Sequence, residues 1–158
     1  MIEIARNTLV FVKNPFANYV VQFVLKLKYS EINKIISEQL MSELINLSKQ
    51  KFSSNVIEKC LEFNTNQMNE QIVHCLMSNK NQYFNLLIDN FGNYVIQKCL
   101  QVTQEPLLSV FISELKDDVE KLGQSNEFGM KIYQRLIKKY PALESDLIVN
   151  DFQPVRRN

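Results

Sequence analysis

The 158-residue chain has no tryptophan, three glycines, four prolines, three cysteines and one histidine. Each shortage removes a class of protein. Cys60, Cys75 and Cys99 are odd in number and show no C-x-x-C spacing, so reduced core thiols are expected rather than a disulfide framework or a zinc site. No H-E-x-x-H pattern or glycine-rich phosphate loop occurs, and no motif sets a nucleophile or acid beside His74. Catalysis, a metal, a cofactor and a small-molecule substrate are therefore not expected. No apolar run reaches membrane-spanning length, and the opening Met1-Ile-Glu-Ile-Ala-Arg-Asn7 lacks the basic and apolar regions of a secretory signal. A cytoplasmic protein without membrane association is the expectation. Eighteen Lys and Arg stand against 17 Asp and Glu, a net charge of +1, which argues against one large basic patch.

What is abundant is amphipathic helix. The stretches Glu31–Leu47, Asn69–Met77, Pro106–Leu115 and Met130–Lys139 carry apolar residues at spacings of three and four, and strand-type alternation persists nowhere. Asn14-Pro15 and Glu105-Pro106 are expected to open helices and Tyr140-Pro141 to close one. An all-α chain follows.

It is also a repeating one. Four related segments run Phe16-Ala-Asn-Tyr-Val-Val-Gln-Phe-Val-Leu25, Phe52-Ser-Ser-Asn-Val-Ile-Glu-Lys-Cys-Leu61, Phe91-Gly-Asn-Tyr-Val-Ile-Gln-Lys-Cys-Leu100 and Phe128-Gly-Met-Lys-Ile-Tyr-Gln-Arg-Leu-Ile137. Their third residues, Asn18, Ser54, Asn93 and Met130, are 36, 39 and 37 positions apart, the period of a helical solenoid with two or three short helices per unit.

Two sets of positions behave differently within the segments. Phe16/Phe52/Phe91/Phe128, Val20/Val56/Val95/Ile132, Val24/Cys60/Cys99/Leu136 and Leu25/Leu61/Leu100/Ile137 are apolar in every copy and are expected to form a buried stripe, with the cysteines as small core residues. The second set is polar: Asn18/Tyr19/Gln22, Ser54/Asn55/Glu58 and Asn93/Tyr94/Gln97. In a helix the first and third members of each trio share a face, with the second at its edge. Stacked repeats would line the trios along one surface.

Asn-Tyr-x-x-Gln, Ser-Asn-x-x-Glu and Asn-Tyr-x-x-Gln in this order resemble the base-reading motifs of the Pumilio, or PUF, RNA-binding repeats. The likeness covers residues 1–143, which are similar to the last three repeats of an eight-repeat domain and its C-terminal partial repeat; 144–158 is a polar tail. The resemblance implies a right-handed α-solenoid of the armadillo or HEAT type. It also implies binding of single-stranded RNA in mRNA 3′ untranslated regions, regulation of translation or decay, and regulatory protein partners. The loop Ser78–Gln82 corresponds to a family region that contacts such partners.

The chemistry of the trios agrees. Uracil offers acceptors at O2 and O4 and a donor at N3, which two amides satisfy, so Asn18/Gln22 and Asn93/Gln97 would each hold a U. Guanine offers donors at N1 and N2, and the Glu58 carboxylate with the Ser54 hydroxyl would accept them. Tyr19 and Tyr94 would stack on bases, with Asn55 a weaker platform. In the family the RNA runs antiparallel to the protein, which implies 5′-UGU-3′. Lys59, Lys98 and Arg135 share one repeat position and are candidates for backbone or base-flanking contacts. The fourth segment, with Met130-Lys131 and Gln134, carries no recognised trio and is expected to cap the solenoid.

Two other readings compete. A HEAT- or armadillo-like protein scaffold shares the period, and a PUF relative that processes rRNA binds without sequence preference. The scaffold has no reason to align Asn/Gln, Ser/Glu and Asn/Gln. The rRNA type predicts a basic surface and degenerate trios, and this chain has neither. With about half the length of an eight-repeat domain, the chain is expected to leave Ile4, Leu9, Val10 and Phe11 at an uncapped end, or to be part of a longer protein.

Overall fold

The computed structural model describes residues 1–144, so all but the first residue of the polar tail lies outside it. Eleven α-helices and no strand occur among the described residues. They run in four successive groups: α1 (Ile2–Arg6), α2 (Thr8–Phe11) and α3 (Ala17–Lys26); α4 (Ser30–Met41), α5 (Leu44–Ser48) and α6 (Ser53–Phe63); α7 (Asn66–Met77), α8 (Tyr83–Leu87) and α9 (Gly92–Val102); α10 (Leu107–Gly123) and α11 (Glu127–Lys139). Like stacks on like, with α3 on α6 and α6 on α9 in one row and α1 on α4, α4 on α7 and α7 on α10 in another. A single apolar core runs between the rows from Ala5 to Leu143. The repeat is therefore the unit of packing: each unit closes its core only against its neighbours.

The proline expectations hold: α3 follows Pro15, α10 follows Pro106 and α11 ends before Pro141. One helix expectation fails. Glu31–Leu47 is not continuous, because Ser42 donates its hydroxyl to the Gln39 carbonyl at 2.7 Å and the next residue, Glu43, leaves helical geometry with φ −127° and ψ 23°. Lys13 holds the Glu43 carboxylate at 2.9 Å, tying this break to the first unit. In the last unit α10 is one 17-residue helix where the earlier units have two.

The buried stripe also needs correction. Val56, Val95, Ile132, Cys60, Cys99, Val24 and Leu136 are buried as expected, and burial pushes the Cys60 and Cys99 thiols up to about 12. Cys75 is only partly buried, and His74 lies on the surface. The phenylalanines do not join the stripe: Phe16 is 81% exposed, Phe128 is exposed, and Phe52 and Phe91 are half-buried. Phe16, Phe52 and Phe91 stand just before α3, α6 and α9 and Phe128 lies in the first turn of α11, so this position falls at the end of each helix rather than along its packed face. Ile137 is half-buried. Val20 is 45% exposed although its equivalents Val56 and Val95 are fully buried, because no helix of the same row covers that side of α3 among the described residues. Val10, Phe16, Tyr19, Val20 and Phe23 make up this open apolar end, while Ile4, Leu9 and Phe11 are partly covered.

Candidate functional site

The three trios sit on α3, α6 and α9, at the same place in each helix, and these helices stack side by side. Gln22, Glu58 and Gln97 are therefore aligned across the row, each half-buried. Tyr19, Asn55 and Tyr94 stand exposed at the edges, Tyr19 at 66% and Tyr94 at 47%. Asn18, Ser54 and Asn93 are different. They are at most 2% exposed and form the floor beneath the other two members.

In the first and third units that floor is a hydrogen-bonded chain. The Asn14 carboxamide oxygen accepts from the Phe16 and Ala17 amides, both at 2.9 Å, and so caps α3. Asn18 Nδ2 donates to the Asn14 and Pro15 carbonyls at 2.9 Å, and Gln22 Nε2 donates to Asn18 Oδ1 at 2.9 Å. The third unit repeats the pattern. Asp89 Oδ1 accepts from Phe91 and Gly92 at 2.8 Å, Asn93 Nδ2 donates to the Asp89 carbonyl at 2.7 Å, and Gln97 Nε2 donates to Asn93 Oδ1 at 2.9 Å. Gly92 is required at the head of α9, since a Cβ there would lie 2.9 Å from the Leu86 carbonyl oxygen.

The second unit lacks this chain. Ser53 donates to the Leu47 carbonyl at 2.7 Å and Asn55 to the Lys51 carbonyl at 3.0 Å, but Glu58 accepts no hydrogen bond among the described residues. Burial raises the Glu58 carboxyl above its usual pKa, against the opposing pull of Lys98 and Lys59. This carboxylate is only partly solvated and has no donor of its own.

The three cations have distinct surroundings. Lys59 pairs with Glu62 at 2.7 Å and lies over the Phe63 ring; Lys98 is half-buried and its charge acts on Glu58. Arg135, carried by α11, lies 5.6 Å from the centre of the Tyr94 ring. The last unit thereby reaches the third trio. Two surface clefts, beside Lys28, Asn33 and Phe63 and beside Tyr83, Glu114 and Asp118, involve none of the nine trio residues.

Sequence reasoning brought together all nine trio residues but missed Asn14 and Asp89. Their signal was available: Asn14, Gln50, Asp89 and Asn126 each lie two residues before the repeated Phe and recur at 50−14=36, 89−50=39 and 126−89=37. Asn126 also caps its helix, accepting from Gly129 at 2.9 Å.

Comparison with known proteins agrees with this layout. A family model described as the Pumilio-family RNA binding repeat matches residues 7–45, 43–77 and 82–116, one match for each trio. Pumilio homolog 12 of Arabidopsis thaliana is 34% identical over 137 residues, covering 87% of this chain and 23% of that protein. A Pumilio domain-containing protein of Schizosaccharomyces pombe is 32% identical over 147 residues, covering 93% of this chain and 21% of that protein. The chain thus spans about a quarter or less of these relatives. Among solved structures, PUF-8 in complex with PBE-RNA superposes with a TM-score of 0.75 at 20% identity, over 85% of this chain and 39% of the other. The Puf4 RNA binding domain bound to an HO endonuclease RNA 3′ UTR recognition sequence gives 0.74 at 20% identity, over 88% and 44%. The solenoid of stacked Pumilio-type units is the shared fold.

Proposed function

Since the chain belongs to the Pumilio family of RNA-binding repeats, we propose that it binds single-stranded RNA in a sequence-dependent way, one base per trio, with UGU as the core. The observation that carries this reading is the alignment of Gln22, Glu58 and Gln97 at one position of three stacked helices, two with a Tyr beside them. A half-buried carboxylate without a donor is suited to a base edge that brings two donors, and guanine brings N1–H and N2–H2. Adenine would turn its N1 lone pair on Glu58, at a cost on the order of 1–3 kcal/mol. Gln22 keeps its carbonyl oxygen and a second N–H for uracil, and Gln97, whose nitrogen also donates to the Asn93 backbone carbonyl at 3.2 Å, keeps its carbonyl oxygen.

Tyr19 and Tyr94 are the stacking platforms in this reading, with Asn55 between them as the weaker one. Arg135 extends the Tyr94 platform toward the 5′ end of the RNA, and Lys98 and Lys59 flank the guanine site close to the backbone. At a net charge of +1 the base edges and faces, rather than bulk attraction, supply the affinity, so its salt dependence is shallow. The family and the 3′ UTR site in the Puf4 complex support mRNA as the target. On this reading residues 1–143 form part of a Pumilio domain that acts in the cytoplasm on translation or decay, with Ser78–Gln82 a contact for regulatory proteins. No helix among the described residues is long and apolar enough to cross a membrane.

A gel shift with UGU, UCU and UUU cores in otherwise identical RNAs tests the reading. Selective retention of UGU is expected. Binding indifferent to the middle base would favour a HEAT- or armadillo-like protein scaffold instead.

A further inference from the structure

One side of α3 carries an apolar stripe that the other helices of its row do not complete. Phe16, Val20, Phe23 and Leu27 stand four, three and four residues apart, which keeps them on one helical face at the spacing of a helix-pairing seam. They are 81%, 45%, 63% and 42% exposed. The same places are Phe52, Val56, Lys59 and Phe63 in α6 and Phe91, Val95, Lys98 and Val102 in α9. There the valines are fully buried and the other apolar members half-buried, so this side of a row helix is one that packs against protein. The third place separates α3 from the rest. It is Lys59, Lys98 and Arg135 in the later units and Phe23 in the first, and no residue from Asn14 to Leu25 is charged. A largely exposed ring thus replaces the cation that would suit water.

We propose that this stripe is a self-complementary interface through which two copies of the chain pair, α3 against α3, about a two-fold axis. Area and charge both select that occupant. With Val10, itself 68% exposed, the stripe leaves about 500 Å² of apolar surface on one copy, the size that marks an interaction site on a monomer. Two such faces with their polar rims bury roughly 1,200 Å², enough for a specific dimer of modest strength. The other end of the solenoid does not fit the stripe. Lys131, Arg135, Lys138 and Lys139 stand exposed on α11, and stacking the stripe there would strip water from cations while supplying no acid in return. A second α3 stripe brings no charge to bury. It has the same length and spacing, and the two-fold contact closes on itself, so assembly stops at two copies instead of growing into a filament.

Sedimentation velocity of the full chain without RNA, from about 5 to 100 μM, tests the pairing apart from any base reading. Twice the chain mass is expected at the upper end, with no heavier species. Phe23→Lys gives the first unit the residue of the second and third, and is expected to raise the dimer dissociation constant by about tenfold or more. Its circular dichroism should match the parent, since the side chain is exposed and α6 and α9 carry lysine at that place. A parent that stays monomeric throughout the range, or a Phe23→Lys variant that pairs as tightly as the parent, overturns the proposal.

Two further variants fix the geometry and decide the matter should Phe23→Lys not fold. Phe16→Ser removes the most exposed ring of the stripe and is expected to weaken pairing by about tenfold. Lys138→Glu on α11 is expected to leave pairing unchanged, because that end takes no part. Loss of the dimer in Lys138→Glu, or species that grow beyond two copies with concentration, would make the contact head to tail and overturn the two-fold pairing. Unchanged pairing in Phe16→Ser would remove the stripe from the interface.

Discussion

In the proposed reading, the first and third sites and the second site meet a base by opposite means. At Asn18/Gln22 and Asn93/Gln97 the reading group is neutral, anchored through a chain of hydrogen bonds to the backbone, and flanked by an exposed tyrosine. At Ser54/Glu58 the reading group is charged, partly desolvated and unanchored, and its neighbour Asn55 is no aromatic platform. The difference teaches what each edge demands. A neutral amide is ambiguous until its polarity is fixed, so it needs a partner. A carboxylate accepts at both oxygens whichever way it turns, so it needs none, but it carries a desolvation cost that persists until guanine supplies donors.

The largest expected effect comes from erasing that difference. Ser54→Asn with Glu58→Gln should move the middle preference from G to U, changing the ratio of UGU to UUU binding by one to two orders of magnitude, about 1–3 kcal/mol. Fluorescence polarisation with both RNAs measures it; a double variant still preferring UGU would remove Glu58 from the reading role.

Next come the platforms. Tyr94→Ala should weaken UGU binding by roughly 1–3 kcal/mol, and Asn55→Ala by much less, because only the ring offers a base a stacking face. Comparable losses in the two titrations would contradict the division between the sites.

Acidity should separate them as well. The raised Glu58 carboxyl takes up a proton as pH falls toward its shifted pKa, and the neutral acid turns a donor toward guanine in place of an acceptor. UGU binding by the parent should therefore weaken between neutral and mildly acidic pH, while UUU binding by the Ser54→Asn/Glu58→Gln variant stays level. The sign for stability runs the other way. A carboxyl raised in the folded state is disfavoured there when ionised, so Glu58→Gln should raise Tm at pH 7, and the gain should vanish where Glu58 is protonated in both states. A variant less stable than the parent at neutral pH would show that Glu58 is held by favourable contacts.

The smallest effect tests the anchors. Asn14→Ala should cost about 1 kcal/mol of stability as a lost helix cap, with Asn14→Asp near neutral because Asp89 already fills that place in the third unit. Thermal unfolding reads both, and an Asn14→Ala variant as stable as the parent would dismiss the cap.

Much of this was legible in the residues alone, because a repeat reports its own constraints several times. Val56, Val95 and Ile132 stay apolar at one position while Asn18, Ser54 and Asn93 stay polar at another, which is enough to infer helices, a period and a row of trios. Polarity at a repeated position says that a side chain matters, but not whether it lies at the surface or beneath it. Asn18 looks the same as an exposed reader or as a buried support, since an asparagine is suited to both and only its neighbours tell them apart. The same limit applies to Val20, identical in type to Val56 yet exposed, because burial depends on which helix lies alongside. Spacing along the chain is enough for the period, the helical face and the three polar trios on it, because all of these depend on positions within one helix. Tertiary structure decided which trio members reach outward, which way the glutamine amides turn, and that Arg135 of the last unit lies on Tyr94 of the one before. These follow from contacts between a helix and the turn before it, or between neighbouring units, which linear spacing does not encode.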